Sequence, residues 1–436
     1  MTTPLDRRSF LKTTATAAAG VAALSHRAFA QAQGANEKIV LGMIGVGGMG
    51  RANLNSFLDR PGVEIAAICD VDATHAQQAV AEVLKRKERA PQIYGDFRQV
   101  LDRKDIDAVV ICTPDHWHAI PFIAACEAGK DIYCEKPVSH SFVEAKAMAA
   151  AAQHFKRVVQ IGAWQRSVPH FQQAIEFVRS GKLGKIQLCR AWNLTPPNPL
   201  GHQHPMPVPA GLDWDFWVGP AKMFGYQPNR CHNTWRWFFQ TGTGKIGDWG
   251  AHMIDIVLLG MRESDPIHVH SEGGIFLADD DRDTPDTMQT LYRFPQWQLI
   301  WEHRQGNNRG LDGGKDHGSE FIGENGTLIV DRMAVRWFPK DDDDQAYPGP
   351  GDSVRGPNTH WQNFLDCIKT RARPHSDIES LAKTTMLCHL GNISYQTGLT
   401  VQWDAKAQDV ANHAARRAIS YEREYRKPWK LKHYAV

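Results

Sequence analysis

The chain of 436 residues is long enough for two domains of the usual ~100–200 residues, and its 42% hydrophobic, 22% charged composition is ordinary for a globular protein. A formal charge of +2 with no dense Lys/Arg tract argues against a dedicated nucleic-acid surface. No apolar run reaches the ~18–20 residues of a membrane-spanning helix.

The first thirty residues read as an export segment rather than as part of the fold. Asp6-Arg7-Arg8-Ser9-Phe10-Leu11-Lys12 resembles a twin-arginine signal, an alanine-rich stretch runs from Thr13 to Leu24, and Ala28-Phe29-Ala30 is an A-x-A cleavage site. A mature chain starting near Gln31 and working in the periplasm, or otherwise exported, is expected. That route carries folded proteins, so a cofactor is expected to be loaded first and then kept. The eight cysteines show no C-x-x-C or zinc spacing. Cys69, Cys112 and Cys134 end apolar strand patterns, where cysteine serves as a small buried hydrophobe.

Residues 37–161 alternate strand and helix patterns, as a doubly wound nucleotide-binding domain does. The run 39–44 has the branching of a buried parallel strand and ends in Gly45-Val46-Gly47-Gly48-Met49-Gly50, followed by a helix pattern. In this G-x-G-x-x-G turn Gly45 permits the tight bend, Gly47 lets the backbone approach a pyrophosphate, and Gly50 allows close packing of helix on strand. The loop backbone through Gly48 and Met49 leads into a helix N-terminus that favours the same anion. A second strand, 63–69, ends in Asp70, placed to accept hydrogen bonds from the adenosine ribose. Val71 and Asp72 follow, so no arginine awaits a 2′-phosphate, and NAD is expected rather than NADP. Further strands are predicted at 92–94, 107–112, 131–134 and 158–161. Ser141 with Glu144 forms a capping box that opens a helix.

Residues 162–436 change character. A helix near 170–180 precedes an alternating strand at 185–192. The stretch 195–233, rich in Pro, Trp and His, reads as a functional or interface loop. Strand patterns at 267–275, 287–294, 298–305, 320–322 and 327–330 predict an antiparallel sheet in an α+β domain. The acidic Pro/Gly segment 340–357 reads as a solvated loop, and helix patterns cover 360–368 and 376–395, the C-terminal helices being free to pack back on the first domain. No metal site is expected.

Two constellations carry chemistry. Cys134-Glu135-Lys136-Pro137 ends the fifth strand, at the edge where doubly wound folds bind ligands, so Lys136 can neutralise an oxyanion there. Gly244-Lys245-Ile246-Gly247-Asp248-Trp249-Gly250-Ala251-His252-Met253-Ile254-Asp255 places Asp248 and His252 four apart on one helix face, an imidazole beside a carboxylate.

With the glycine-rich turn, Asp70, the E-K-P and the D-x-G-x-H-x-x-D in order, the chain resembles the Gfo/Idh/MocA oxidoreductases, the family of glucose–fructose oxidoreductase and inositol dehydrogenase. The resemblance implies a Rossmann domain plus an α+β domain with a large open-faced antiparallel sheet, used in homodimers or homotetramers. It implies that Thr113-Pro114 and His118 lie along the cofactor with Glu135 and Lys136, and that Lys136, Asp248 and His252 are catalytic. Gln165 is placed to touch the nicotinamide or substrate. Trp164, Arg166, Trp235 and Asp255 are candidates on the substrate side. The activity implied is oxidation of a secondary hydroxyl on a sugar or polyol, His252 taking the proton with Asp248 orienting it. A redox-neutral NAD-dependent glycoside hydrolase is the alternative.

Overall fold

The computed structural model describes residues 38–263, 265–310, 315–340, 347–348 and 359–435. The segment read as an export signal lies outside the described residues, as does most of the acidic segment 340–357. Among the described residues no helix is long and apolar enough to cross a membrane.

The first body is a six-stranded parallel sheet of β1 (Ile39–Ile44), β2 (Val63–Cys69), β3 (Gln92–Tyr94), β4 (Ala108–Ile111), β5 (Asp131–Cys134) and β6 (Val159–Ile161). Its order is β3-β2-β1-β4-β5-β6, so the winding reverses between β1 and β4. Strands β4 and β5 are buried along their whole length, which is why they read as unbroken apolar runs. Helices α1 (Gly48–Leu58), α2 (Ala73–Leu84), α3 (Phe97–Leu101), α4 (Ala119–Glu127) and α5 (Phe142–His154) connect them. The α5 capping box is formed, Ser141 and Glu144 each accepting from the other's backbone N–H.

A helix, α6 (Pro169–Arg179), leads to β7 (Ile186–Thr195) and the long connection through the short α7 (Trp214–Val218) to α8 (Ala251–Met261). Strands β8 (His268–Gly274), β9 (Thr287–Arg293), β10 (Gln298–Gln305), β11 (His317–Gly323), β12 (Gly326–Val330), β13 (Val335–Pro339) and β14 (Tyr347–Pro348) follow. Then come α9 (His360–Thr370), α10 (Ile378–Thr397), β15 (Val401–Asp404) and β16 (Asp409–Val410). The second sheet has ten strands ordered β14-β13-β12-β11-β7-β10-β9-β8-β15-β16. It is mixed rather than wholly antiparallel: β7 and β10 run parallel in register from Gln298 opposite Leu188. The meander β8-β9-β10 arrives with β10 already oriented along β7, and the connection between them is long enough to permit it. One face is buried under α6, α8 and α10 through residues such as Val178, Met253, Ile256 and Leu390.

The later helices return to the first body. Phe364 and Leu365 of α9 pack with Phe57 and Tyr133 beside the parallel sheet. The C-terminal tail does the same, with Trp429 against Trp117 and Phe97, and Arg423 paired to Glu144.

Candidate active site

The glycine-rich turn joins β1 to α1 at the point where the strand order reverses. Gly45 has φ +82°, and a methyl on it would lie 2.9 Å from the Cys112 backbone. A methyl on Gly50 would fall on the carbonyl oxygen of Gly45. Gly47 is open on its outer side except for the His75 ring, so a ligand can reach its backbone. Asp70 closes the turn from β2: its carboxylate accepts from Val46 N at 2.8 Å and from Asp72 N at 2.9 Å. Burial pushes this carboxyl upward, against the pull of those two N–H groups. Each oxygen retains a second lone pair for a ribose hydroxyl.

A cleft runs from this turn across the C-terminal ends of β1, β4 and β5. Gly48, Met49, Thr113, Pro114, Glu135 and Lys136 line it. Its residues fit a dinucleotide, and the buried Thr113 hydroxyl has no hydrogen-bond partner among the described residues. Two expected contacts are already engaged elsewhere. The His118 ring lies between Pro137 O at 2.8 Å and Thr113 O at 2.9 Å, where a neutral imidazole donates to one of the two. Glu135 accepts from Asn53 Nδ2 at 2.8 Å, and Asn53 in turn accepts from Trp361 Nε1 of α9. Both side chains therefore also brace the loops that line the cleft.

The connection 196–250 lies over the open side of this cleft. Leu212 bridges to Asp72, and backbone bonds run from Ala73 N to Gly211 O and from Asp213 N to Val71 O. His232 Nε2 meets Asp72 at 3.1 Å, and a methyl on Gly48 would touch Asn233 Oδ1 at 3.4 Å. The segment read as a functional loop is thus a strap from the second sheet across the glycine-rich turn. Asp72, His75 and His232 bring ligand atoms within 4.8 Å of one another, the one trio among the described residues spaced to accept a cation. The Asp72–His232 hydrogen bond accounts for part of that approach.

Lys136, which precedes a cis bond to Pro137, reaches the second body. Its Nζ donates to Asp248 Oδ1 at 2.6 Å and to the Asp248 carbonyl at 3.1 Å. Asp248 sits in a π-turn, Ile246–Gly250, that opens directly into α8. Such turns are rare and recur at functional sites. Burial raises the Asp248 carboxyl, yet Lys136, Arg236 and Lys245 outweigh it and hold it far below the carboxylate range. Asp248 is therefore paired with Lys136, and no hydrogen bond joins it to His252.

His252 is 5% exposed, with Nδ1 buried and without a hydrogen-bond partner among the described residues. Burial, then the nearby Lys136 and Arg332, push its pKa well below the ordinary value, so the ring is neutral. Trp164 and Trp249 flank it at 6.5 and 6.2 Å between ring centroids. Gln165, also nearly inaccessible, gives Oε1 to Arg332 and leaves Nε2 without a partner. Trp235 lines the cleft, with the Arg236 guanidinium 4.3 Å over its ring.

Two expected substrate residues are structural. Arg166 and Asp255 form a buried bidentate pair, Nε to Oδ2 at 2.7 Å and Nη2 to Oδ1 at 2.6 Å, extended by Ser380 and Thr384. Their side chains are 4% and 2% exposed, and the pair ties the segment after β6 to α8 and α10. Proximity in sequence to Gln165 and His252 suggested a substrate role. The helical turn instead carries each away from its neighbour toward the domain junction.

Four further groups belong to the site. Asp115 lines the cleft and accepts from Thr243 Oγ1 at 2.7 Å. Burial lifts its carboxyl to about 7, with Arg236 and Lys136 opposing. Arg236 lies 3.7 Å from Asp248, Lys245 is 4.9 Å from the Trp237 ring, and Arg332 stands over Trp249. Asp115 sits inside the quoted Thr113–His118 stretch, and Trp235-Arg236-Trp237 alternates cation and aromatic, which are local signals. Arg332 follows a strand end with no signal of its own.

Sequence comparison assigns both bodies. The Gfo/Idh/MocA profile described as oxidoreductase family, NAD-binding Rossmann fold, matches residues 39–163, and its C-terminal alpha/beta domain counterpart matches residues 198–431. Inositol 2-dehydrogenase from Salmonella typhimurium (strain LT2) is 31% identical over 147 residues, 33% of this chain and 42% of its own. Alpha-N-acetylgalactosaminidase from Shewanella oneidensis is 37% identical over 107 residues, 24% of this chain and 23% of its own. The chain thus spans less than half the length of these curated relatives. A solved levoglucosan dehydrogenase in complex with NADH and levoglucosan is similar in fold, with a TM-score of 0.63, 20% identity, and coverage of 84% of this chain and 99% of that one.

Proposed function

The chain belongs to the Gfo/Idh/MocA oxidoreductase family, whose Rossmann domain binds NAD, and on that premise we propose that it oxidises a secondary hydroxyl of a sugar or polyol. The observation that carries this reading is the meeting of Lys136 with Asp248 at 2.6 Å beside a neutral, buried His252. Bound NAD supplies the hydride acceptor. A neutral imidazole takes the carbinol proton as the C–H bond yields its hydride, leaving a carbonyl. The Lys136 ammonium stabilises the developing alkoxide, and Asp248 holds that ammonium in place. Trp164 and Trp249 exclude water around His252 and offer faces to the sugar C–H bonds.

The strap from 211 to 233 supports a cofactor that stays bound between turnovers. A retained NADH then needs a second sugar or carbonyl compound to reoxidise it in the same site. That cycle fits an exported enzyme, the destination suggested by the Arg7-Arg8 segment. The partly exposed outer face of the ten-stranded sheet, with residues such as Ile300 and Leu291, suits a homo-oligomer contact.

A redox-neutral glycoside hydrolase is the second reading, favoured by the likeness to the Shewanella oneidensis alpha-N-acetylgalactosaminidase. Protein purified with its cofactor separates the two. A rise in NADH absorbance on adding free sugar supports the dehydrogenase. Release of an aglycone with no net absorbance change supports the hydrolase. Neither response, with His252→Ala binding sugar as the wild type does, rejects both.

A further inference from the structure

The substrate side of the site holds more positive charge than its carboxylates balance. Lys136 and Arg236 share Asp248. Lys245 is 5% exposed, and among the described residues it has neither an ion pair nor a hydrogen bond through its ammonium. Burial pushes Asp115, the other carboxyl, up to about 7 and the Lys245 ammonium down to about 8. A neutral sugar gives this excess no counter-charge.

Arg332 is the most telling of these cations. Its guanidinium stands 4.3 Å from the Trp249 ring and 5.0 Å from the Trp164 ring, the two indoles that also flank His252. Nε and Nη2 donate to one neutral atom, Gln165 Oε1, at 3.3 and 3.2 Å. Among the described residues no carboxylate pairs with it, and Nη1 has no protein acceptor. Asp248, the acid that acts on it most strongly, is already paired with Lys136, and Asp316 is half exposed and held by His317 at 2.6 Å. Among the described residues Gln165 Nε2 and His252 Nδ1 are two more buried polar atoms without a partner beside this guanidinium and these rings. Partly desolvating a guanidinium without a counter-charge is costly, a cost that an anionic ligand would offset. The planar group held over two indoles leaves its Nη1–Nη2 edge for a planar, bidentate acceptor.

We infer that the substrate is an acid sugar, its carboxylate docking on the free edge of Arg332 while a neighbouring carbinol faces Lys136 and His252. This deepens the proposed oxidation and rests on it for the reaction, though not for the binding. A uronic or aldonic acid has the required chemistry. A sugar phosphate offers the same edge a second kind of bidentate acceptor, and the experiment separates the two.

The test uses the protein carrying its own NAD and three matched pairs: glucose with glucuronate, galactose with galacturonate, and glucitol with gluconate, with glucose 6-phosphate as a separate arm. Binding is followed by tryptophan fluorescence, and turnover by NADH absorbance. The acid member of at least one pair is expected to bind about 100-fold tighter than its neutral partner, the scale of a lost bidentate charged contact. Arg332→Gln is expected to abolish that preference, raising KM for the acid member far more than for its neutral partner. Arg332→Lys, which keeps the charge and the stacking, should fold as the wild type does and recover part of it. Acid binding lost in Arg332→Gln without NADH formation from any sugar sustains the anion site and rejects the oxidation. Equal binding of acid and neutral members, an Arg332→Gln effect equal on both, or preference for the phosphate alone overturns the inference while leaving the oxidation standing.

Discussion

Lys136 and Asp248, 112 residues apart, meet at 2.6 Å across the junction of the two bodies. The ammonium comes from the end of a parallel strand and the carboxylate from a π-turn, so neither body holds the pair alone. Lys136→Met is expected to lower kcat about 100- to 1000-fold, and Asp248→Asn to do the same while leaving the fold intact. Steady-state NADH formation with circular dichroism of each variant checks this. Unchanged kcat in both would remove the pair from the mechanism.

The neutral state of His252 sets the acid limb of the rate profile. Protonation disables the base, and burial with Lys136 and Arg332 moves that event below the ordinary imidazole range. Activity should therefore persist as pH falls through about 6.5, where an unperturbed histidine would already be half charged. A kcat/KM profile from pH 5 to 9 with an acid limb at the ordinary value would contradict this.

Asp115 makes stability depend on pH in the opposite sense to a salt-bridged carboxylate. Its folded-state pKa of about 7 lies above the unfolded value. Its contribution is fully present below about pH 4 and is lost as pH rises through about 7, by up to about 4 kcal/mol for a shift of this size. Asp115→Asn keeps the acceptor for Thr243 and removes the titration. The melting temperature of this variant should gain on the wild type between pH 4 and pH 8, and a constant difference would refute the assignment.

Arg166 and Asp255 predict a stability phenotype rather than a kinetic one. Removing Arg166 leaves the buried Asp255 carboxylate without its ion-pair partner, at a cost of about 3–5 kcal/mol. Arg166→Met should shift urea unfolding sharply, while KM for substrate in the folded fraction stays within about 2-fold. A large rise in KM at unchanged stability would return Arg166 to the substrate.

The strap predicts slow loss of cofactor. His232 reaches Asp72 at 3.1 Å at its partly exposed edge. His232→Ala should speed NAD release about 2- to 5-fold, the scale of a lost exposed pair. NAD remaining after timed gel filtration gives the rate. An unaltered rate would mean that the backbone bridge at Leu212 holds the strap without this side chain.

Local patterns carried the first body almost whole. The branching of 39–44, the glycines at 45, 47 and 50, and the Ser141–Glu144 box each act within a few residues, so their geometry follows from adjacent positions. Five strands of the second sheet besides β7 were visible singly, but β13 to β16 were not predicted, and the parallel pairing of β7 with β10 depends on contacts between residues 110 apart, as Leu188 and Gln298 are. Reading Asp248 and His252 as i and i+4 on a helix placed both near the chemistry, while the partner of Asp248 came from another domain.

Nucleotide binding was therefore legible in the chain itself, because a phosphate-binding turn is built from consecutive backbone groups whose freedom depends on which residues are glycine. The catalytic neighbourhood was decided by packing. Which acid faces Lys136, which arginine is structural at Asp255 and which is left with an open edge at Trp249 depend on how two sheets dock. Burial and charge at that junction arise from side chains far apart in sequence, and no short pattern encodes them.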